Sequence, residues 1–258
     1  MNFKGYLKNI LYALPVPIII FIIWEFLSRG GYVNVSILPP PSMLFETLVD
    51  MIKSKELLEH SLVSIIRVLE GFVIGSILAI IFGISLGFNK KLERSLSLIV
   101  GFLRPIPTLA WIPLLILWLG IDEASKVTLI AIGTFWTVFV SVAQGIKYVD
   151  KQLLEVAYIL EKNNWTLLTK VILPSALPSI FSGLRAGIDM AWRSVVGAEL
   201  IAASAGLGFL ISYARDVSQT DVIFVGIFAI GFIGIVIEWL IKQIEKRLLR
   251  WNVQNQSK

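Results

Sequence analysis

GFVIGSILAIIFGISLGF, residues 71–88, runs eighteen positions without a charged side chain. An α-helix needs roughly 20 mostly apolar residues to cross about 30 Å of hydrocarbon. This run, extended to about 66–88, meets that requirement, and lipid offers no partner to an open backbone, so it must be helical. Five further stretches read the same way, at about 9–28, 97–120, 127–146, 182–203 and 222–241, the fifth span (182–203) being the least clean. The N-terminal run follows two lysines in the manner of a signal peptide. No small-x-small cleavage site follows it, so it is expected to be a retained first span.

The rest of the composition agrees. Of 258 residues 56% are hydrophobic and 16% charged, with a mean hydropathy of +0.80. Soluble domains carry about 25% charged residues. The fold class expected is an all-α membrane protein of six transmembrane helices, forming a single domain over 1–258. Lys and Arg set its orientation. With the N-terminus inside, the inside segments hold fourteen of them and the outside segments five, with four in or at the edges of spans. Both termini are therefore expected in the cytoplasm. The net charge of +5 is read as charge flanking spans and not as a nucleic-acid surface.

What is missing narrows the chemistry. There is no cysteine and one histidine, His60, which excludes thiolate sites and multi-histidine metal cages. No G-x-x-x-x-G-K-[ST] loop occurs, so any ATP chemistry must come from a partner. No cofactor is expected, and a membrane enzyme lacks the residues for a nucleophile–base pair.

Two long segments lie between spans. In residues 29–61, Pro39-Pro40-Pro41 precedes Ser42, read as an N-cap. Leu44, Leu48, Met51 and Ile52 then recur at helical spacing, suggesting an amphipathic helix on the membrane or on the bundle. Residues 150–178, on the inside, are the more informative. Asp150 caps a helix to about Leu160, on which Leu153, Val156, Ala157 and Leu160 share a face. Asn163-Asn164 is suited to the left-handed conformation that ends a helix. Trp165, Leu168 and Thr169 continue a second helical turn, and Pro174 and Pro178 close the segment. An exposed apolar face of this kind calls for lipid or a partner.

This segment resembles the permeases of binding-protein-dependent ABC importers, which carry E-A-A, three residues, G, nine residues, then I-x-L-P. Glu155, Ala157, Leu173 and Pro174 fall on that pattern, Val156 and Val171 are mild replacements, and Glu161 stands where the glycine belongs. The blocks LPPPS (38–42), ALPSIFSGLRAGIDMAWRSVVGAEL (176–200), SAGLGFLI (204–211), QTDV (219–222) and RLLRWN (247–252) look like the sulfonate, taurine and nitrate branch. The resemblance covers roughly 35–255. It implies a cytoplasmic coupling helix between spans 4 and 5 that docks on an ATP-binding-cassette ATPase present in two copies. It also implies a second permease copy, an extracytoplasmic substrate-binding protein, and residence in the cytoplasmic membrane of a prokaryote. The coupling residues it points to are Leu153, Glu155, Val156, Ala157, Leu160, Glu161, Asn164, Trp165, Leu173 and Pro174. The solute expected is a small sulfonate or an oxyanion such as nitrate, with a pyrimidine vitamin precursor or riboflavin as the alternative.

Charged residues in the spans are the other candidates. Arg185, Asp189 and Arg193 sit at i, i+4, i+8 along one face of span 5. They read either as a translocation pathway for an anion or as an internal ladder anchoring the helix. Glu199 reads as a structural or gating group, and Arg104, before Pro105 and Pro107, as part of a kink or gate. A secondary transporter driven by protons or sodium would instead use Asp189 and Glu199 as its carboxylates.

Overall fold

The computed structural model of the chain describes residues 14–160 and 163–248. Every regular element among them is helical. In chain order these are α1 (Pro15–Arg29), α2 (Pro41–Lys53), α3 (Glu56–Phe88), α4 (Lys90–Leu103), a 3-10 turn (Thr108–Trp111) and α5 (Ile112–Leu119). There follow α6 (Glu123–Lys147), α7 (Lys151–Ile159), α8 (Asn164–Leu167), a π turn (Leu168–Ile172), α9 (Leu173–Ala202), α10 (Leu207–Asp216) and α11 (Thr220–Leu248). Among the described residues four helices are long and apolar enough to cross a membrane: α3, α6, α11 and the continuous run Trp165–Ile201.

The centre is a three-helix unit of α3, α6 and α9. Their register follows from small residues that let backbones approach. A Cβ on Gly75 would meet the Ala131 carbonyl, one on Gly83 the Val142 side chain and one on Gly87 that of Ile146, so α3 and α6 run parallel. Gly133 lies against Ser194 and Gly145 against Ser179, so α9 runs antiparallel to both. Two apolar clusters fill the unit. One, toward α10, includes Val68, Ile130, Trp192, Val195 and Leu207. The other, toward α7, includes Ala79, Val138, Val142, Ala176 and Ile180.

Two parallel helices need a return crossing between them. The stretch read as one span over 97–120 supplies it as a broken pair: α4 and the run Thr108–Leu119 are bent by 87° at the break. Pro105 and Pro107 lack the N–H that would continue the helix, and Pro107 leaves the helical region at ψ 134°. Hydropathy alone does not register such a break. Pro174 and Pro178, expected to close the segment before span 5, do not end a helix. Pro174 occupies the first turn of α9 and Pro178 lies inside it. The π turn immediately before Pro174 loosens the ladder where that ring needs room, and the helix starts well before residue 182.

α2 packs on the bundle through buried Leu44 and Met51, while Ile52 is exposed. Its cap differs from expectation. Pro40 is the N-cap and Pro41 opens the helix, placing Ser42 inside the first turn. There Glu25 of α1 accepts from the Ser42 N–H at 3.0 Å and its Oγ at 2.8 Å, so a carboxylate from a neighbouring helix satisfies the free end. The first span's residues 9–13 lie outside the described residues.

Candidate functional site

The inter-span segment forms the expected helix–turn–helix. Asp150 caps α7 by accepting from the Gln152 N–H at 2.9 Å. Asn163 caps the second helix, its Oδ1 accepting from the Thr166 N–H at 2.8 Å. α7 presents Leu153, Val156 and Leu160 of its expected exposed apolar face, and Ala157 departs from it. Ala157 is buried against the bundle beside half-buried Leu154. Leu153, Glu155, Val156, Ile159 and Leu160 are exposed, as is Trp165 in the next helix. Leu173 is half-buried and Pro174 exposed at the start of α9. Glu161 lies outside the described residues, and Asn164 begins α8. The result is a short helix clamped to the bundle by one small residue and carrying its large apolar side chains outward. A cavity of about 480 Å³ adjoins it, lined by Ser141, Gln144, Tyr148, Leu153, Ser175 and Ser179 among others.

The span charges divide into separate pairs. Arg193 meets Asp189 at 2.9 Å within α9, both largely exposed. Arg185 turns instead to Glu245 of α11, also at 2.9 Å. Arg104 is exposed at the break between α4 and the 3-10 turn. Glu199 is 1% exposed and belongs to a third group at the α10 end.

Of this third group the sequence reading singles out only Glu199, as a structural or gating residue; Arg67 is one of the four Lys and Arg in or at the edges of spans and is given no role. Arg67, 3% exposed, donates to Glu199 at 2.8 Å, to the Ala205 carbonyl at 2.6 Å, and through two nitrogens to Glu123 at 2.5 and 2.6 Å. Glu199 also accepts from Ser64 Oγ at 2.8 Å and from the Gly208 N–H at 2.9 Å. His60 accepts from the Gly206 N–H at 3.0 Å. Gly206 has φ +116°, and a Cβ there would run into the Glu199 carboxylate. The cluster ties α3, α6, α9 and the start of α10 together. The available signal was an arginine inside a candidate span, which membrane depth makes costly unless paired.

A long apolar bundle with an outward-facing helix between two spans is the architecture expected of an importer permease. The sequence profile described as "Binding-protein-dependent transport system inner membrane component" matches residues 71–250. The chain belongs to this family. It is thus a multi-pass inner-membrane component of a transport system. Among its relatives is a Bacillus subtilis (strain 168) protein provisionally named aliphatic sulfonates transport permease protein SsuC. The two are 39% identical over 96% of this chain and 88% of that one. The taurine transport system permease protein TauC of Escherichia coli (strain K12) is 32% identical over 95% and 90%. The riboflavin transport system permease protein RibX of Chloroflexus aurantiacus is 33% identical over 93% and 90%. A solved amino acid ABC transporter shares the fold, with TM-score 0.65 and 19% identity over 80% of this chain and 98% of that one. That likeness bears on the helical fold.

Proposed function

We propose that this chain is the permease subunit of an ATP-driven importer for a small organic sulfonate or an oxyanion such as nitrate. In this reading the chain makes six spans, counting α1 and the bent α4–α5 pair, and the excess of Lys and Arg on one side supports cytoplasmic termini and a cytoplasmic 150–178 segment. Two copies form the pathway, two ATPase subunits dock beneath them, and an external binding protein delivers the solute. Hydrolysis of ATP belongs to the ATPase. The observation that carries the coupling role is α7. It is held by Ala157 and exposes Leu153, Val156, Ile159 and Leu160 beside the Glu155 of the family pattern. Such a surface, too short to lie in a span, requires a partner.

The solute class rests on relatives named for aliphatic sulfonates and taurine. Riboflavin or a pyrimidine vitamin precursor is the second reading, supported by the riboflavin relative. An ion-coupled carrier is disfavoured because Glu199 has its carboxylate engaged by Arg67, Ser64 and the Gly208 N–H. The test is co-purification with a candidate ATP-binding-cassette ATPase. Glu155→Arg and Val156→Asp are expected to lose the ATPase while the permease remains folded in membranes. Unchanged association in both variants would remove the coupling role.

A further inference from the structure

What each helix exposes tells which surface it faces. α3 exposes Leu62, Ile66, Val73 and Ile77, and α11 exposes Phe228, Phe232, Ile235 and Trp239, as lipid-facing helices do. The helix Trp165–Ile201 breaks this pattern. Between Trp165 and Leu200 it exposes no large hydrophobic side chain. It exposes Ser175, Ser182, Ala186, Asp189 and Arg193, with Ser179 half-buried between them. These positions alternate by four and three residues and so form one face. Ionised side chains at membrane depth face protein or water and not hydrocarbon.

Open space follows this face. The cavity beside α7 reaches Ser175, Ser179 and Ser182. A second cavity of about 510 Å³ begins at the same Ser182 and extends past Asp189, Trp192 and Arg193 to Gly231 and Gly234 of α11. The space therefore starts at the first turn of α7, where Leu153 lines it, and continues to the Asp189–Arg193 pair.

We propose that this groove is this subunit's share of an aqueous solute path, and that Arg193 is the group in it that receives the oxyanion head of the solute. Three other charged residues line the upper cavity. Arg185 is engaged by Glu245 at 2.9 Å and Glu238 by Lys242 at 2.7 Å. Asp189 can repel an anion but not bind it. Arg193 meets Asp189 through a single nitrogen at 2.9 Å, and its side chain is 74% exposed. Among the described residues its other N–H donors meet no partner, which leaves them to form the planar fork that fits a sulfonate or nitrate oxygen pair. Asp189 holds the guanidinium in place and offsets its charge, so the anion is received without being trapped, as a conducting path requires. The solute class rests on the importer reading, whereas the wetness of the groove does not.

The chain has no cysteine, so single-cysteine variants can be probed directly in native membranes with the ATPase co-expressed. Ser182→Cys and Ala186→Cys are expected to react with two water-soluble methanethiosulfonates, one bearing a sulfonatoethyl group and one a trimethylammonium group. Ile77→Cys, on the lipid face, is expected not to react. At Ala186→Cys the sulfonate reagent should be favoured by about tenfold. Adding Arg193→Gln should abolish that preference, and adding Arg193→Lys should keep it. Ethanesulfonate should slow labelling only where the cation is retained. Groove positions as unreactive as Ile77→Cys would overturn the path, as would Ala186→Cys cross-linking to a second copy without labelling. A preference that survives Arg193→Gln would overturn the role of Arg193. None of these readouts uses ATP-driven uptake. A dry groove leaves the importer reading standing, and loss of ATPase docking leaves the groove measurable.

Discussion

Replacing Arg67 by methionine removes the guanidinium that joins α3, α6, α9 and the turn before α10, with little change in side-chain bulk. Glu199, 1% exposed, is left with Ser64 Oγ and the Gly208 N–H as its partners. Removing one member of a buried ion pair costs about 3–5 kcal/mol, because the other charge stays buried without compensation. For a chain of this size 1 kcal/mol moves the melting temperature by about 2–4 °C, so Arg67→Met should melt about 6–20 °C lower. Glu199→Gln should cost roughly half as much, since Arg67 keeps Glu123, whose side chain is 60% exposed. The double variant Arg67→Met/Glu199→Leu removes both buried charges and should recover most of the loss. Thermal melts of the detergent-purified chain, followed by tryptophan fluorescence, measure all three. If Arg67→Met melts within about 2 °C of the wild type, or if the double variant shows the sum of the two single losses, the cluster is not the clamp described.

Three smaller predictions concern the elements beside the clamp and the coupling helix. Gly206→Ala forces a side chain into a φ of +116° against the Glu199 carboxylate and should cost about 2 kcal/mol. Gly231→Ala, where a Cβ meets open space, should leave the melting temperature unchanged. Asn163→Ala removes the cap on the second helix of the inter-span segment. It should destabilise that segment by about 1 kcal/mol, seen as faster amide exchange at Thr166 and its neighbours. Ala157→Asp buries a charge under α7 and should raise protease sensitivity across 150–163, whereas Val156→Asp, already exposed, should not.

The helical membrane class was legible because a charge-free run such as 71–88 has few other outcomes. The helix around Glu155 was legible because its Asp150 cap and its spacing are local in sequence. Asp189–Arg193 was equally legible, being one helical turn apart. The Arg67 cluster was not, because its members at 67, 123 and 199 meet only when α3, α6 and α9 pack, and no periodicity encodes that contact. Prolines spoke with two voices. Pro105 and Pro107 break the stretch that hydropathy joined, as the kink reading of Arg104–Pro107 expects, whereas Pro174 and Pro178, which read as closing the segment, lie within a helix. On α7, helical spacing grouped Leu153, Val156, Ala157 and Leu160. The bundle takes only Ala157 of the four and leaves the rest outward, which changes which substitutions probe docking and which probe packing.

The most direct measurement of the importer reading is uptake of radiolabelled ethanesulfonate or taurine by liposomes holding this chain and a candidate ATP-binding-cassette ATPase, with a candidate binding protein supplied outside. Uptake should require ATP inside the vesicles, persist when ionophores collapse proton and sodium gradients, and vanish with Glu155→Arg. Uptake that proceeds without ATP and stops with an ionophore would contradict it and establish an ion-coupled carrier instead.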